Sequence, residues 1–500
     1  MKEDDRSKLD RRRFLKVAGA QTGLLLAASQ GASALTEDRQ QPESSPRRAP
    51  AVIGQKSPDI AVIGAGAFGG WTAYHLRKMG ARVTLVDTWG PGNSRSTSGE
   101  ETRGVRTSYG DRPHGLLWAR WAREAIARWK AWDEEFARTT QERVFYTTGD
   151  LIFRKDWEPF LKETRKNWDT IGTKYEVLQP NDVRSHYPII DLQGISAILY
   201  EPAAGVVRAR RSCERVAESF QHNGGKLVIA RAQPSLFHAD RLEDITLSTG
   251  DKLKADKFVF ALGPWLWKMF PEFMRTRLRT PMGNVYSYGT PVGDNRWIVP
   301  NLPSFNFPGI TGWPALPNDA RGFRVRVGGG TQTDPDTSQR WIDPSNFSRP
   351  RNFLIERFPL LIDAPLLETR SCHYELSVTR NFYIDTHPDW SNVWIAGGGS
   401  AEGFKFGPVV GDYTAKRVMG IEGDPAIAKA FRIGKEEFEE PPRTAADSAR
   451  VKARADSIAK VKADSAKADS IKAGSKSVIP GQGAPSVMKS DSVTKKPLFR

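Results

Sequence analysis

The stretch Asp59–Asp87, DIAVIGAGAFGGWTAYHLRKMGARVTLVD, decides the fold. The apolar run Ile60 to Ile63 reads as a buried strand, and Gly64-x-Gly66-x-x-Gly69 turns it into a helix running to about Met79. A second strand, Arg82 to Val86, ends at Asp87. Gly64 permits the tight turn, Gly66 lets the backbone approach a pyrophosphate, and Gly69 lets helix and strand pack closely. Phe68 sits between them, at a helix N-terminus whose free N–H groups and positive dipole end suit phosphate. Asp87, 23 residues after Gly64, is placed to accept hydrogen bonds from a ribose. Strand, turn, helix, strand and acid in register specify a Rossmann-like α/β nucleotide domain. The motif suits NAD or FAD, and the acid disfavours a 2′-phosphate.

Outward from this unit the chain divides by composition. Residues 58–440 alternate apolar strands, amphipathic helices and turn signals, enough for a large core in two interleaved domains. Before them, residues 35–57 form a Pro/Ser/Arg-rich linker. Residues 1–34 read as a twin-arginine export signal: Arg11, Arg12, Phe14, Leu15 and Lys16 precede a short apolar run and Ala32-Ser33-Ala34. The expected address is the periplasm or another extracytoplasmic site, reached folded through the twin-arginine translocase. Cleavage is expected after Ala34, and no stable membrane span is expected afterwards.

Residues 441–500 repeat Ala-Asp-Ser among lysines, with few large apolar side chains, and read as a basic, disordered tail. The formal charge of +16 is concentrated at the ends, about +8 in residues 441–500 and +3 in residues 1–50. The remaining +5 or so over the centre gives no footprint for nucleic acid. Trp118, Trp121, Ala125, Trp129 and Trp132 fall on one helical face and read as core. Only two cysteines occur. Cys213 lies in a helix-like stretch as a small core residue, and a Cys213–Cys372 disulfide is open on sequence grounds.

Further blocks follow in order: STSGEETRGVRTSYGD (96–111), TGDLIF (148–153), YEPAAGVVRARRSCERVAESF (200–220), KFVFALGPW (257–265), TQTDPDT (331–337) and SCHYELSVTRNFYIDTHPDWSNVWIAGGGSAEGFKFGPVVGD (371–412). In this order, over roughly Asp59 to Gly420, the chain resembles the monomeric sarcosine oxidase family, with N-methyltryptophan and pipecolate oxidases, in the D-amino-acid-oxidase superfamily. The resemblance implies a discontinuous FAD domain capped by an antiparallel-sheet substrate domain. It implies FAD held covalently through Cys372, in Cys-x-Tyr, by a thioether to the flavin 8-methyl position. It also implies flavin contacts at Ser96, Thr102, Arg103, Leu262, Gly263 and Trp265. Ser400, Ala401 and Gly403 would run beside the ring and offer backbone N–H groups to it, with Lys405 adjoining.

By the same resemblance, Arg106 and Lys405 bind a substrate carboxylate. A guanidinium fork and an ammonium can clamp one while the amine-bearing carbon faces the flavin. The implied reaction oxidises the C–N bond of an amino acid or N-alkylamino acid to an imine, with electrons passing to O2 to give H2O2. Three departures stand out. Arg324 takes the place of the family's oxygen-activating lysine, Glu402 puts a carboxylate where the family has an imidazole, and Thr311, near Trp313, replaces a substrate-facing tyrosine. Alternatives are a dehydrogenase passing electrons to a quinone or carrier protein, and an exported flavoprotein without catalysis. An NAD-linked enzyme would leave the C-terminal block without a role.

Overall fold

The computed structural model describes residues 57–439, save 318–320 and 331, together with the isolated positions 456, 463 and 467. The export signal, the linker up to residue 56 and almost all of the basic tail lie outside the described residues.

Asp59–Ile63 and Arg82–Asp87 pair in parallel at the centre of a six-stranded sheet, with helix Ala67–Lys78 between them in sequence. Lys226–Ile229 adds to the free side of Arg82–Asp87, while Lys257–Phe260 and Val393–Gly397 extend the sheet beyond Asp59–Ile63. Tyr383–Thr386 closes that edge antiparallel. After Asp59 the first strand is apolar and buried to its end because both sheet faces are covered. Ile60 and Val62 enter the core that holds Trp71, Leu76 and Trp129, whereas Ala61 and Ile63 enter the one that holds Phe258, Phe260 and Leu266.

The glycine turn has the expected reasons for its sequence. Gly64 has φ +106°, and a Cβ there would lie 2.3 Å from Ala261 O. A Cβ on Gly69 would lie 1.8 Å from Gly64 O, so the helix cannot sit this close to the turn with any larger residue.

The second large sheet has eight strands in the order Leu366–His373, Met282–Tyr288, Phe323–Val327, Ile310–Trp313, Ser304–Phe307, Asp150–Arg154, Ala197–Glu201 and Glu176–Leu178. Every junction is antiparallel except that between Ser304–Phe307 and Asp150–Arg154. The combination of a mostly parallel nucleotide sheet and a mostly antiparallel second sheet is the fold class the sequence implied.

Helix Gly115–Thr140 buries Trp118, Trp121, Ala125, Trp129 and Trp132, as the stripe predicted. Two of these side chains also act as struts: Trp129 Nε1 donates to Lys405 O at 2.8 Å, and Trp118 Nε1 donates to Asn381 Oδ1 at 3.1 Å. Cys213 is buried in helix Ala209–His222, and both cysteines are free, so the disulfide left open by the sequence is not formed. Among the described residues no helix is long and apolar enough to cross a membrane.

Candidate active site

A cavity of about 740 Å³ begins where the first strand ends. Of the sequence-predicted residues, Gly64, Gly66, Phe68, Asp87, Ser96, Arg103, Leu262, Gly263, Trp265, Ala401 and Gly403 form its walls. Gly69, Thr102, Cys372, Ser400 and Lys405 are not among the residues that line it.

The cavity suits a dinucleotide. Gly66 caps helix Ala67–Lys78 with no side-chain acceptor, and the nearest atom to a Cβ built there is Ser98 Oγ, at 3.4 Å. Ser98 Oγ accepts from Ala67 N at 3.2 Å, placing a small hydroxyl on the cavity wall at the helix start. Asp87 is held rigid by three amides, with Ala65 N on Oδ2 and Trp89 N and Gly90 N on Oδ1. Burial pushes its carboxyl up and those donors oppose the shift. At the far end, Trp265 Nε1 donates to Asp336 Oδ1, and Lys268 bridges Asp334 and Asp336, so these two acids fasten onto the Gly263–Trp265 turn and the residues after it.

The cysteine lies against Arg103, a residue of the cavity wall. Cys372 faces Gly283 across the antiparallel pair, and its thiol points at Glu100 Oε2, 3.9 Å away. Arg103 Nη2 donates to Cys372 Sγ at 3.6 Å and to Thr97 O at 2.7 Å. Burial raises the thiol pKa, but Arg103, Arg370 and Arg326 outweigh it and bring the thiol below its ordinary value. Arg324 does not stand over the cavity. Its Nη2 donates to buried Glu100 Oε1 at 2.5 Å, and Arg103 pairs with the same carboxylate. Thr311 and Trp313 share the strand beside Arg324, and Trp313 Nε1 would lie 2.8 Å from a Cβ on Gly104.

The last wall is the loop after Val393–Gly397. Ser400 and Ala401 both take left-handed φ, +46° and +66°. This costly conformation is held by Ala401 N to Glu375 O, Glu402 N to Gly399 O, Ser400 Oγ to Gly398 O and Arg112 Nη2 to Ser400 O. Two amides of the 400–403 stretch are therefore committed within the chain. The loop lines the cavity with Ala401 and Gly403 and brings the Glu402 carboxylate to Lys405 and Arg106.

That carboxylate lies between the two predicted clamp residues. Lys405 Nζ bonds Glu402 Oε2 and donates to Tyr109 OH at 2.8 Å, while Arg106 Nη2 lies 3.7 Å from Glu402 Oε1. Burial works against the ionised Glu402, and Lys405, Arg106 and Arg112 overcome it, holding the carboxyl well below the usual range. Two further acids border the group. Asp150 and Glu201 are direct cross-strand partners, and Asp150 Oδ2 is 4.0 Å from Arg106 Nε. Glu201 accepts from Thr107 N and Oγ1 at 2.9 and 2.7 Å. Burial raises Asp150 to about 6 and Glu201 to about 7.

Sequence reasoning did not single out Ser98, Tyr109, Asp150, Glu201 or Glu375. The available signal was an acid inside an otherwise apolar strand, in TGDLIF and ILYE. A buried acid without a structural partner is costly enough to ask for a reason.

Residues 59–417 match the family model DAO, FAD dependent oxidoreductase. Monomeric sarcosine oxidase of Arthrobacter sp. (strain TE1826) is 26% identical over 365 residues, 72% of this chain and 91% of that protein. N-methyl-L-tryptophan oxidase of Yersinia pestis (strain Pestoides F) is 25% identical over 373 residues, 71% and 94% of the two chains. Among solved structures, L-proline dehydrogenase from P. horikoshii superposes with a TM-score of 0.66 at 19% identity, covering 77% of this chain and all of that one. Fructosamine oxidase from Aspergillus fumigatus gives 0.63 at 20% identity, over 76% and 90%.

Proposed function

The chain belongs to the FAD dependent oxidoreductase family DAO, and on that premise we propose that it oxidises the C–N bond of an amino acid or N-alkylated amine to an imine. The observation that carries this reading is the loop at 399–403, which faces the dinucleotide cavity with Ala401 and Gly403 and joins Glu402 to Arg106 and Lys405 behind it. FAD, when bound, supplies the two-electron oxidant. The residues of this chain supply placement: Gly64, Gly66 and the helix start take the pyrophosphate, Asp87 takes a ribose, and Arg106, Glu402 and Lys405 set the polar end of the substrate site. The substrate loses two electrons and two protons to become an imine, which water hydrolyses to a carbonyl compound and an amine. O2 takes the electrons and protons as H2O2. Anaerobic addition of amines to the purified holoprotein should bleach the flavin, and admission of air should restore its colour with stoichiometric peroxide. A flavin that no amine bleaches would refute the reading.

A second acceptor is favoured by one observation. Arg324, the cation in place of an oxygen-activating lysine, is salt-bridged to Glu100 and 5% exposed. Colour returning with a soluble quinone but not with air would assign electrons to a quinone or carrier protein.

Cys372 is the proposed point of covalent attachment, supported by a thiol made more acidic by Arg103, Arg370 and Arg326. The C–S bond replaces a C–H bond of the flavin methyl, and the two electrons and two protons released pass to the same acceptor. Acid-precipitated protein should stay yellow, and Cys372→Ala should release its colour to the supernatant. Colour released from wild type would rule out the linkage. Export rests on the amino-terminal residues. A reporter fused after residue 57 should reach the periplasm, and Arg11→Lys/Arg12→Lys should hold it in the cytoplasm.

A further inference from the structure

Arg106 and Lys405 converge on a carboxylate, and the chain itself provides it. Glu402 Oε1 stands 3.7 Å from Arg106 Nη2, and Oε2 is bonded by Lys405 Nζ, which Tyr109 OH also holds at 2.8 Å. The place that an amino-acid substrate would fill with its carboxylate is thus occupied by a side chain three residues from the lysine.

The charge of the surroundings sharpens the point. Facing the two cations are Glu402, Asp150 and Glu201, the last two side by side across one strand pair. Like charges placed directly opposite are unfavourable in a sheet. Glu201 is satisfied by Thr107, but Asp150 is 3% exposed and its Oδ2 has no hydrogen-bond partner, only Arg106 Nε at 4.0 Å. Arg112, the third cation acting on Glu402, is tied to Ser400 O. A substrate carboxylate would have to evict the ionised Glu402 beside the buried Asp150, leaving one carboxylate buried and unpaired. A cationic or neutral amine meets no such barrier. Solvent still reaches Arg106 and Glu402, at 15% and 18% exposure, so an incoming ligand meets Glu402 while it is paired.

Building on the amine-oxidising reading, we propose that Glu402 is a built-in occupant of the Arg106–Lys405 pair and that the substrate is an amine without an α-carboxylate. Glu402 is thereby the residue that sets specificity against amino acids.

The test uses matched pairs on the purified holoprotein: L-proline against pyrrolidine, N-methyl-L-tryptophan against N-methyltryptamine, and sarcosine against its methyl ester. Anaerobic flavin bleaching is followed in wild type and in Glu402→Gln. Wild type should be reduced at least about tenfold faster by the carboxylate-free member of a pair, and Glu402→Gln should narrow or reverse that ratio. A second readout needs no turnover: acetate should perturb the visible flavin spectrum of Glu402→Gln but not of wild type. Wild type reduced at least as fast by the amino acids, or perturbed by acetate as readily as the variant, would overturn the proposal while leaving amine oxidation standing. Bleaching by no member of any pair would remove the amine-oxidising reading and the substrate class together. The wild-type pairs decide the matter even where Glu402→Gln does not fold.

Discussion

Glu375 carries a carboxyl on the cavity wall that burial raises to about 7, against the amides of Gly399 and Gly398. Folded chains therefore keep a proton that unfolded chains, titrating near 4.5, have already lost. Between those values the folded state binds more protons, so this group makes stability fall as pH rises. Glu375→Gln removes the ionisation while its amide oxygen can still accept from Gly399 N, which donates to Oε2 at 3.1 Å. The variant is expected to be more stable than wild type at pH 8, by about 1–3 kcal/mol, with the difference closing near pH 5. Denaturant melts at the two pH values check this, and a difference independent of pH would show that Glu375 is not the titrating group. Asp150 and Glu201 act in the same direction. These acids were hard to read in the sequence for a plain reason. Their proximity comes from strand pairing between residues 150 and 201, which no local spacing encodes, whereas Gly64, Gly66, Gly69 and Asp87 announce themselves within one βαβ unit.

At the scale of elements, the loop at Ser400–Ala401 and the helix Gly115–Thr140 hold the site in place. Ala401 is exposed and left-handed, a conformation that costs a non-glycine residue about 1–2 kcal/mol. Ala401→Gly should therefore raise stability by up to about 1 kcal/mol once the greater freedom of the unfolded glycine is subtracted. A lower Tm would show that the loop is not strained there. Trp129→Phe keeps most of the buried ring but strips the donor from Lys405 O, leaving a buried carbonyl unmet at a cost of about 1–3 kcal/mol. Because Lys405 is the next link, the variant should also change the substrate KM, read alongside Tm. A Tm loss with unaltered KM would confine Trp129 to packing. The helix and its apolar face were legible from periodicity, but its indole donors reach residues 263 and 276 positions away, contacts only the fold creates. The Ser400–Ala401 turn was legible only as a flavin-side loop, since neither residue type advertises positive φ.

For the whole molecule, the cavity is a joint product of the Asp59–Asp87 unit, the 93–103 segment, the 261–271 turn and the 374–404 block. A ligand that touches all of them should stabilise them together. In Cys372→Ala, which cannot form the proposed thioether, FAD at about a hundredfold excess over Kd is expected to add about 2.7 kcal/mol to stability. A Tm indifferent to FAD would place the cofactor elsewhere.

The strand order of the nucleotide sheet also carries a timetable. Asp59–Ile63 leaves the ribosome early, yet its neighbour on one side is Lys257–Phe260 and the strand beyond that is Val393–Gly397. Until residue 404 has been made, the glycine cradle has one flank open and the cavity lacks its last wall. Uptake of the cofactor thus waits for a chain complete to about residue 404, and nascent chains arrested before residue 390 should fail to retain flavin.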